Sequence, residues 1–367
     1  MTKNTYHVAG LMSGTSLDGL DIAFCTFEYK NEKWSFKLQA SKSVSYDEPL
    51  RNRLKDSISD SALDLLILNN FYGDWLGQQV SQFVKENKIE VDFIASHGHT
   101  VLHQPEKGIT YQIGSGQHLA NACGIKTICD FRSKDVAVNG QGAPLVPIGD
   151  KYLFPEYDVC LNLGGISNIS FELNGKRLAY DIGLANMVLN YLANQRGLPY
   201  DKNGTIAKSG EPNKNLLDQL NNLDYYQKPY PKSTGYEWFR DEVLPIIDSS
   251  GDTIENKLCT AVHHVTFQIA KDVRKIAGTG AKMLVTGGGA LNSFLIETLG
   301  FYLDGGVEIV VPDNSIIEFK EAIVFAFMGV LRERNEINCL RAVTGAGVDT
   351  SGGVIYYPAV NLRSYPS

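Results

Sequence analysis

Two stretches of the chain repeat one layout, in which an apolar run leads into a turn of glycine and hydroxyl residues and a second apolar run follows. Residues 6–9 and 22–27 flank the first turn, and residues 157–163 and 169–173 flank the second. Apolar runs bounded by glycine and serine predict strands joined as hairpins. The same layout in both halves predicts two related α/β lobes, each with its turn facing a cleft.

The first turn, residues 10–21, has the composition of a phosphate-binding segment. Its glycines permit positive φ and close approach of a ligand, while Ser13, Thr15 and Ser16 add hydroxyl donors to exposed N–H groups. No Lys-Ser/Thr pair follows the last glycine and the next element is a predicted strand, so this is not a Walker loop. Taken alone, the stretch also fits an ordinary hairpin turn.

A third glycine segment, Gly287-Gly288-Gly289, stands between a predicted strand at 282–286 and a predicted helix at 291–299. Without side chains there, a flat ring or a phosphate can approach the backbone and the helix N-terminus. Because two glycine turns precede it in the same chain, the segment favours nucleotide binding.

Two carboxylates are candidates for chemistry. Asp181 follows a predicted strand at 177–180 and precedes a predicted helix at 187–195, so it is either a helix cap or, in the expected cleft, a general base. Glu321 lies on an otherwise apolar predicted helix at 318–331, where it is either paired or solvated, or faces the cleft.

Three histidines follow a short buried strand at 91–96, where α/β proteins place ligands. His97, His99 and His103 are compatible with zinc, with a sugar-contacting loop, or with structural roles. No carboxylate or cysteine cluster accompanies them, which favours the sugar-contacting loop.

Composition narrows the class of protein. A net charge of −7 with no clustered basic face argues against nucleic acid. No run reaches about 18 apolar residues and the N-terminus lacks a signal pattern, which predicts no membrane partner and a cytoplasmic protein. The six cysteines form no C-x-x-C pair, as expected of small buried side chains in a reducing compartment. A chain of 367 residues predicts two domains.

With these motifs together, the sequence resembles the anhydro-N-acetylmuramic acid kinases, sugar kinases of the actin and hexokinase superfamily, over essentially its whole length. The motifs that carry the resemblance occur in the family's order: residues 10–21; Ser96-His97-Gly98-His99-Thr100-Val101; residues 130–147 around Gly140-Gln141-Gly142-Ala143-Pro144; Leu163-Gly164-Gly165-Ile166-Ser167-Asn168-Ile169; Pro231-Lys232-Ser233-Thr234-Gly235; Thr286-Gly287-Gly288-Gly289-Ala290-Leu291-Asn292; Glu321-Ala322; and Val343-Thr344-Gly345.

The resemblance implies a two-lobed α/β fold of the actin/hexokinase (ribonuclease H-like) kinase type with a hinged central cleft. We expect an N-terminal lobe of residues 1–128 plus a C-terminal segment of about 345–367, and a second lobe of residues 129–344. It also implies a homodimer.

The implied reaction uses ATP and Mg²⁺ to open the internal anhydro bridge of the sugar with water and to phosphorylate the released oxygen, giving N-acetylmuramic acid 6-phosphate for cell-wall recycling. Asp181 matches the family's catalytic aspartate. The resemblance implies that ATP is bound by Gly14, Thr15, Ser16, Leu17, Asp18, Gly19, Leu20, Asp21, Gly164, Gly165, Gly287, Gly288 and Gly289, and the sugar by Ser13, His97, Asn186 and Glu321. Either Asp18 or Asp21 is expected to hold Mg²⁺ through water.

The chain departs from the family at two places. Asp181-Ile182-Gly183-Leu184-Ala185-Asn186 stands where Asp-Thr-Gly-Pro-Gly-Asn is common, and His99 replaces a glutamine. The first change leaves two alternatives open: a catalytically lapsed sugar or nucleotide sensor, and an active kinase for another amino sugar.

Overall fold

The computed structural model describes residues 3–14 and 17–359. The strands are β1 (Thr5–Met12), β2 (Gly19–Lys30), β3 (Lys33–Ser45), β4 (Phe93–Ser96), β5 (His99–Gln104), β6 (Ile109–Ile113), β7 (Thr127–Cys129), β8 (Val159–Leu163), β9 (Ile166–Leu173), β10 (Lys176–Leu184), β11 (Ala281–Thr286), β12 (Val307–Val310) and β13 (Val354–Tyr356).

The helices are α1 (Glu48–Asp56), α2 (Ala62–Asn87), α3 (Gly116–Cys123), α4 (Ser133–Val136), α5 (Pro147–Leu153), α6 (Asn186–Asn194), α7 (Thr205–Lys208), α8 (Lys214–Asn221), α9 (Tyr236–Trp238), α10 (Leu244–Ser249), α11 (Ile254–Ile276), α12 (Ser293–Leu303), α13 (Asn314–Glu333) and α14 (Arg341–Thr344). Among the described residues, no helix combines the length and apolar character needed to cross a bilayer.

The chain forms two compact units, which confirms the predicted two-lobed α/β fold. Unit 1 comprises Met1–Phe154 and Phe319–Ser367, and unit 2 comprises Pro155–Glu318. The divisions therefore fall at 154/155 and 318/319, whereas the sequence placed them at 128/129 and 344/345. The difference arises because α4 and α5 pack on β6 and β3, and because α13 packs its aromatic residues on unit 1 through ring contacts such as Phe325 with Phe131 and Phe327 with Phe27.

The main sheet of unit 1 combines a meander with parallel strands. In the described part of the chain its order is β13-β7-β4-β1-β2-β3. Strands β1, β2 and β3 pair antiparallel in sequence, while β4 pairs parallel with β1 and β7 parallel with β4. The β1–β2 connection, which is the first glycine turn, therefore lies beside the carboxyl end of β4.

Unit 2 repeats this plan. Its sheet, over the residues described, has the order β10-β9-β8-β11-β12, with an antiparallel β8-β9-β10 meander followed by the parallel strands β11 and β12. The β9–β10 hairpin turns at Asn174 and Gly175, both at positive φ, the conformation that an Asn-Gly pair favours in a tight hairpin. The second glycine turn, β8 to β9, thus occupies the position in this sheet that the first turn occupies in unit 1.

Helix α2 shows how local sequence builds the core of unit 1. The Ser61 hydroxyl caps it by accepting the Asp64 N–H, and Lys88 ends it in the left-handed conformation. Its buried residues recur at three and four positions and join the core on the sheet; they are Leu68, Tyr72, Leu76, Val80 and Phe83.

Gly10 in β1 is required by close packing on α13. A Cβ at this position would lie 1.9 Å from the Ala322 carbonyl oxygen. We expect Gly10→Ala to lower the free energy of unfolding by about 1–3 kcal/mol through overpacking. Urea denaturation measures the effect, with Gly251→Ala as control, because no atom lies within 4 Å of a Cβ there. Equal midpoints for the two variants would contradict this packing.

Candidate active site

The first glycine turn is shorter than the sequence motif. Because β1 continues to Met12 and β2 begins at Gly19, the turn covers residues 13–18, and Thr15 and Ser16 lie outside the described residues. Leu17 has a φ of 58°, and its N–H donates to the Gly14 carbonyl at 3.4 Å.

The side chains predicted to bind nucleotide at the end of this turn differ in their placement. Leu20 is 1% exposed and packs in the core of unit 1, so only its backbone is available to a ligand. Asp18 is exposed, while Asp21 is half-buried and accepts the Ser43 hydroxyl at 2.5 Å.

Ser13 belongs to a buried polar network. Its hydroxyl accepts a hydrogen bond from the Tyr46 hydroxyl at 2.7 Å and lies 3.2 Å from His99 Nδ1. The Tyr72 hydroxyl is 2.7 Å from that of Tyr46. Burial lowers the pKa of His99 to about 4, so its ring is neutral at pH 7. Ser13 is thus fixed from inside the unit.

The loop at the histidines is shorter than predicted, because β5 begins at His99 and pairs with β6. Its contact with a sugar stays a prediction. Strand pairing takes up the backbone groups that a loop would expose. His103 Nδ1 lies 3.1 Å from the Thr110 hydroxyl. Within the described ranges, no group of three or more histidine, cysteine or acidic side chains is placed to hold a metal ion.

His97 orients an arginine that the sequence reasoning missed. Its Nε2 accepts hydrogen bonds from Arg132 Nε at 3.0 Å and Nη2 at 2.9 Å, which makes Nδ1 the protonated nitrogen, donating to the Gly98 carbonyl at 2.9 Å. Arg132 Nη1 donates to the Gly142 carbonyl at 2.6 Å. Burial, and then the Arg132 charge, hold the pKa of His97 well below its usual value. The mixed charges of residues 131–135 were the available signal for Arg132.

Glu321 shares its surroundings with other charges of unit 1. Its side chain is exposed on α13, yet desolvation by the surrounding protein raises the pKa of its carboxyl, opposed by Arg132 and Lys320 and supported by Asp21. Burial lowers the pKa of Arg132 to about 10, and Glu321 opposes that shift. The charges of Arg132 and Glu321 therefore each favour the charged form of the other side chain.

In unit 2, the second glycine turn consists of Gly164 and Gly165, because β9 already begins at Ile166. Their carbonyls accept hydrogen bonds from the start of α6: the Asn186 N–H donates to Gly164 at 3.0 Å and the Met187 N–H to Gly165 at 3.0 Å. The Asn186 side chain donates through Nδ2 to the Leu163 carbonyl at 2.8 Å. Asn186, predicted to bind the sugar, is thus tied to the glycine turns.

The three glycines after β11 have different reasons for being glycine. A Cβ on Gly287, whose φ is 80°, would lie 2.6 Å from Asn162 Oδ1, and one on Gly289 would lie 2.7 Å from Leu163 Cβ. Gly288 is exposed, and the nearest atom to its Cβ would be 3.9 Å away. Gly288 alone leaves its backbone open to a ligand.

The helix behind these glycines begins later than predicted. A 3₁₀ turn covers Gly288–Leu291 and α12 starts at Ser293, where Asn292 Oδ1 accepts the Leu295 N–H at 3.1 Å. The Asn292 side chain therefore satisfies one of the N–H groups in the first turn of α12, and that group is not available to a ligand.

A cavity of about 510 Å³ lies beside Gly288 within unit 2. It is lined by Asn186, Tyr200, Asn203, Gly288 and Leu291, among others. An apolar and aromatic lining with a few polar groups suits a flat heterocycle carrying hydrogen-bonding edges.

Asp181 lies inside β10, whereas the sequence analysis predicts that it follows the end of a strand. The register with β9 shifts between Asp181 and Gly183, and such a bulge redirects a side chain. Oδ2 accepts the Ser233 hydroxyl at 2.9 Å and the Thr234 N–H at 3.1 Å, and Oδ1 carries neither bond. The Tyr225 hydroxyl donates to the Asp181 carbonyl at 2.7 Å.

The electrostatics of Asp181 suit proton acceptance. Desolvation raises the pKa of its carboxyl, and the Thr234 N–H, the Ser233 hydroxyl and the Lys232 charge oppose that shift. A carboxylate with one oxygen fixed by donors and the other without them can direct the second oxygen at a proton.

The two units, with one sheet plan and a glycine turn at the same point of each, define a two-lobed α/β fold of the actin and hexokinase type. The profile of the family described as anhydro-N-acetylmuramic acid kinase matches residues 6–358. The anhydro-N-acetylmuramic acid kinase of Aliivibrio fischeri is 35% identical over 363 residues, spanning 95% of this chain and 98% of the relative. That of Vibrio cholerae is 35% identical over 369 residues, with the same coverage. The chain belongs to the anhydro-N-acetylmuramic acid kinase family.

Solved structures resemble the chain more distantly. The activator of the 2-hydroxyisocaproyl-CoA dehydratase from Clostridium difficile, with bound ADPNP, aligns with a TM-score of 0.45 at 14% identity, covering 89% of this chain and 97% of the other. The ROK hexokinase from Thermus thermophilus aligns with a TM-score of 0.39 at 15% identity, covering 88% and 99%.

Proposed function

We propose that this protein is an ATP-dependent kinase that hydrolytically opens 1,6-anhydro-N-acetylmuramic acid and phosphorylates it to N-acetylmuramic acid 6-phosphate in murein recycling. The observation that carries the proposal is the geometry of Asp181, a half-buried carboxylate with two donors on one oxygen. The chain aligns over nearly its whole length with relatives that are named anhydro-N-acetylmuramic acid kinase.

Asp181 accepts a proton from water as that water attacks the anomeric carbon. The bond from the anomeric carbon to the bridging oxygen breaks. The released oxygen then attacks the γ-phosphorus of ATP, the bond from this phosphorus to the β-phosphate oxygen breaks, and ADP leaves. This is the base role of an inverting glycoside hydrolase combined with phosphoryl transfer.

The nucleotide is held chiefly by backbone groups. Gly164, Gly165 and Gly288 leave room for phosphates, and the cavity beside Gly288 receives the nucleoside. We assign Asn186 to this cavity, which it lines, in place of the sugar site. The turn at Gly14 and residues 17–21 is the proposed phosphate contact of unit 1, and the predicted roles of Thr15 and Ser16 remain predictions.

Asp18 and Asp21 are the proposed holders of Mg²⁺. Carboxylate oxygens suit this ion, which takes one or two of them together with water and nucleotide phosphates. Asp18 is exposed at the end of the turn and Asp21 is half-buried near the start of β2, so the residues present fit such an ion. When bound, it neutralises charge on the phosphates.

The proposed sugar site is in unit 1 and consists of Ser13, His97, Arg132 and Glu321. The resemblance assigns Ser13, His97 and Glu321 to the sugar, and the geometry adds Arg132. A guanidinium fixed by His97 and Gly142 keeps further N–H groups for a carboxylate, such as the lactyl group of muramic acid.

Arg132→Met is expected to raise KM for the anhydro sugar roughly 10-fold or more, because a charge-assisted hydrogen bond is lost. For an analogue without the lactyl group, we expect the wild-type enzyme and Arg132→Met to have the same KM. Steady-state kinetics with both sugars measure this, with Arg240→Met as control, since Arg240 pairs with Asp241 on the surface. An equal KM for wild type and Arg132→Met would remove Arg132 from the site.

The alternatives, a lapsed sensor and a kinase for another amino sugar, arose from the altered turn after Asp181. Ile182, Leu184 and Ala185 are buried in the core of unit 2. The replaced side chains therefore serve packing, while residues 233 and 234 hold the Asp181 carboxylate. No observation favours either alternative.

The test of the function is incubation with ATP, Mg²⁺ and the anhydro sugar, with mass analysis of the product. We expect one ADP and one N-acetylmuramic acid 6-phosphate per sugar consumed. Binding without ADP release would indicate the sensor, and phosphorylation only of ordinary hexosamines would indicate the other kinase.

A cytoplasmic homodimer completes the proposal. All six cysteines are free and most are buried, which fits a reducing compartment. The dimer rests on the family resemblance alone. Light scattering of the purified protein tests it, and a mass near the 40.4 kDa of one chain would contradict it.

A further inference from the structure

Lys232 has a buried ammonium group inside an aromatic box. Its side chain is 6% exposed, and Nζ lies 4.8 Å from the ring centroid of Tyr225, 5.8 Å from that of Tyr180 and 5.9 Å from that of Tyr226. Asp272 completes the box with Oδ2 at 3.8 Å. A desolvated ammonium between aromatic faces is held by their quadrupoles as well as by the carboxylate.

The walls of the box are themselves fixed. The Tyr226 hydroxyl lies 2.9 Å from Nε2 of the buried His264, and the Tyr225 hydroxyl donates to the Asp181 carbonyl. Because the side chains around the Lys232 ammonium are fixed by hydrogen bonds, the ammonium restrains the backbone of Lys232.

The backbone of Lys232 belongs to the segment that forms hydrogen bonds with Asp181. The Asp181 N–H donates to the Lys232 carbonyl at 3.2 Å, and the next two residues, Ser233 and Thr234, supply both donors to Oδ2. Ser233 is exposed and Thr234 is half-buried, on a segment outside the helices and strands, so no regular backbone pairing of a helix or sheet fixes these two donors.

We propose that Lys232 is a positioning residue: the tyrosine box and Asp272 fix its ammonium, and this fixes the segment 232–234 that aims the Asp181 carboxylate. The inference rests on the proposed function, in which Asp181 is the base. It extends that function because Lys232 acts through Asp181 and not on the substrate.

The positive charge of Lys232 also favours the deprotonated form of Asp181 that a base needs. It lowers the pKa of Asp181, together with the Thr234 N–H and the Ser233 hydroxyl. Burial, and then the Asp181 charge, raise the pKa of the Tyr225 phenol. Around Lys232, burial lowers the pKa of the ammonium, Asp272 opposes that shift, and Lys271 and Lys275 add to it.

Lys275 provides a matched control. It pairs with the same Asp272, at 2.7 Å, but its side chain is 58% exposed. If Asp272 needed only a cation, the two lysines would be equivalent.

The experiment compares Lys232→Met with Lys275→Met. For Lys232→Met we expect kcat to fall on the order of 10²-fold with KM for the sugar little changed, as when a reacting group is misplaced. We also expect the acid limb of kcat to move to higher pH, because the carboxylate loses a nearby positive charge and its fixed donors. Lys275→Met should match wild type, and Lys232→Arg should recover part of the rate and of the pH limb.

Two results would overturn the inference: an unmoved acid limb in Lys232→Met, or equal effects of the two methionine variants. Failure of the proposed function would look different, because wild type itself would then be inactive. In that case the Asp181 carboxyl pKa, read by ¹³C NMR and assigned by its loss in Asp181→Asn, still tests the inference. We expect it to rise in Lys232→Met, and an unchanged value would contradict the role of Lys232.

Discussion

Asp181→Asn is expected to lower kcat by at least about 10²-fold while sugar binding is largely kept. An amide cannot take a proton from the attacking water. It can still accept the Ser233 and Thr234 hydrogen bonds through its oxygen, so the local geometry is retained.

Turnover by coupled ADP detection and sugar affinity by calorimetry measure the two halves of this prediction. Asp248→Asn is the matched control. Asp248 is an acidic residue of the same unit, and its Oδ1 accepts a hydrogen bond from the Tyr191 hydroxyl at 2.9 Å. Full activity in Asp181→Asn would end its assignment as the base.

The wild-type pH profile should show an acid limb above the pH at which an ordinary aspartate titrates. Desolvation raises the pKa of Asp181, and the base works only when deprotonated, so kcat falls as pH falls through that raised value. The profile of kcat against pH checks this, and a limb at the position of an exposed aspartate would contradict the desolvated environment.

Asp150→Asn is expected to lower the free energy of unfolding by about 3–5 kcal/mol, because it removes one charge of a buried ion pair. Asp150 Oδ1 lies 2.7 Å from Lys320 Nζ, and the two side chains are 6% and 7% exposed. Lys320 directly precedes Glu321 on α13, so the pair also holds the helix that presents Glu321.

Urea unfolding measures the effect, with Glu297→Gln as control. Glu297 pairs with Lys208 at 2.6 Å, but both side chains are more than half exposed, at 63% and 59%. A surface pair of this kind contributes about 0–1 kcal/mol. Similar losses in the two variants would show that burial does not set the strength of the Asp150–Lys320 pair.

The architecture could be predicted from sequence where the pattern is local. Apolar runs around glycine turns predict the strands that flank both turns, and the three- and four-residue spacing of the buried residues of α2 is typical of a helix. The division between the units could not be placed in this way. It depends on which sheet α4, α5 and α13 pack against, and these contacts are distant in sequence.

The candidate site shows the same limit. Asp181 could be chosen from its motif, but the donors that hold its carboxylate come from a segment 52 and 53 residues later. Arg132 was missed because its partner, His97, lies 35 residues earlier. The strand at His99 likewise depends on pairing with β6, which single-residue preferences do not reveal.

The central claim is that Asp181 directs water to the anomeric carbon while the bridging oxygen receives the phosphoryl group. Turnover with ATP, Mg²⁺ and the anhydro sugar in ¹⁸O water tests this most directly. The account predicts one ¹⁸O atom at the anomeric position of the product, none in the phosphate ester oxygen, and loss of labelled product in Asp181→Asn. Product without ¹⁸O at the anomeric carbon would contradict it.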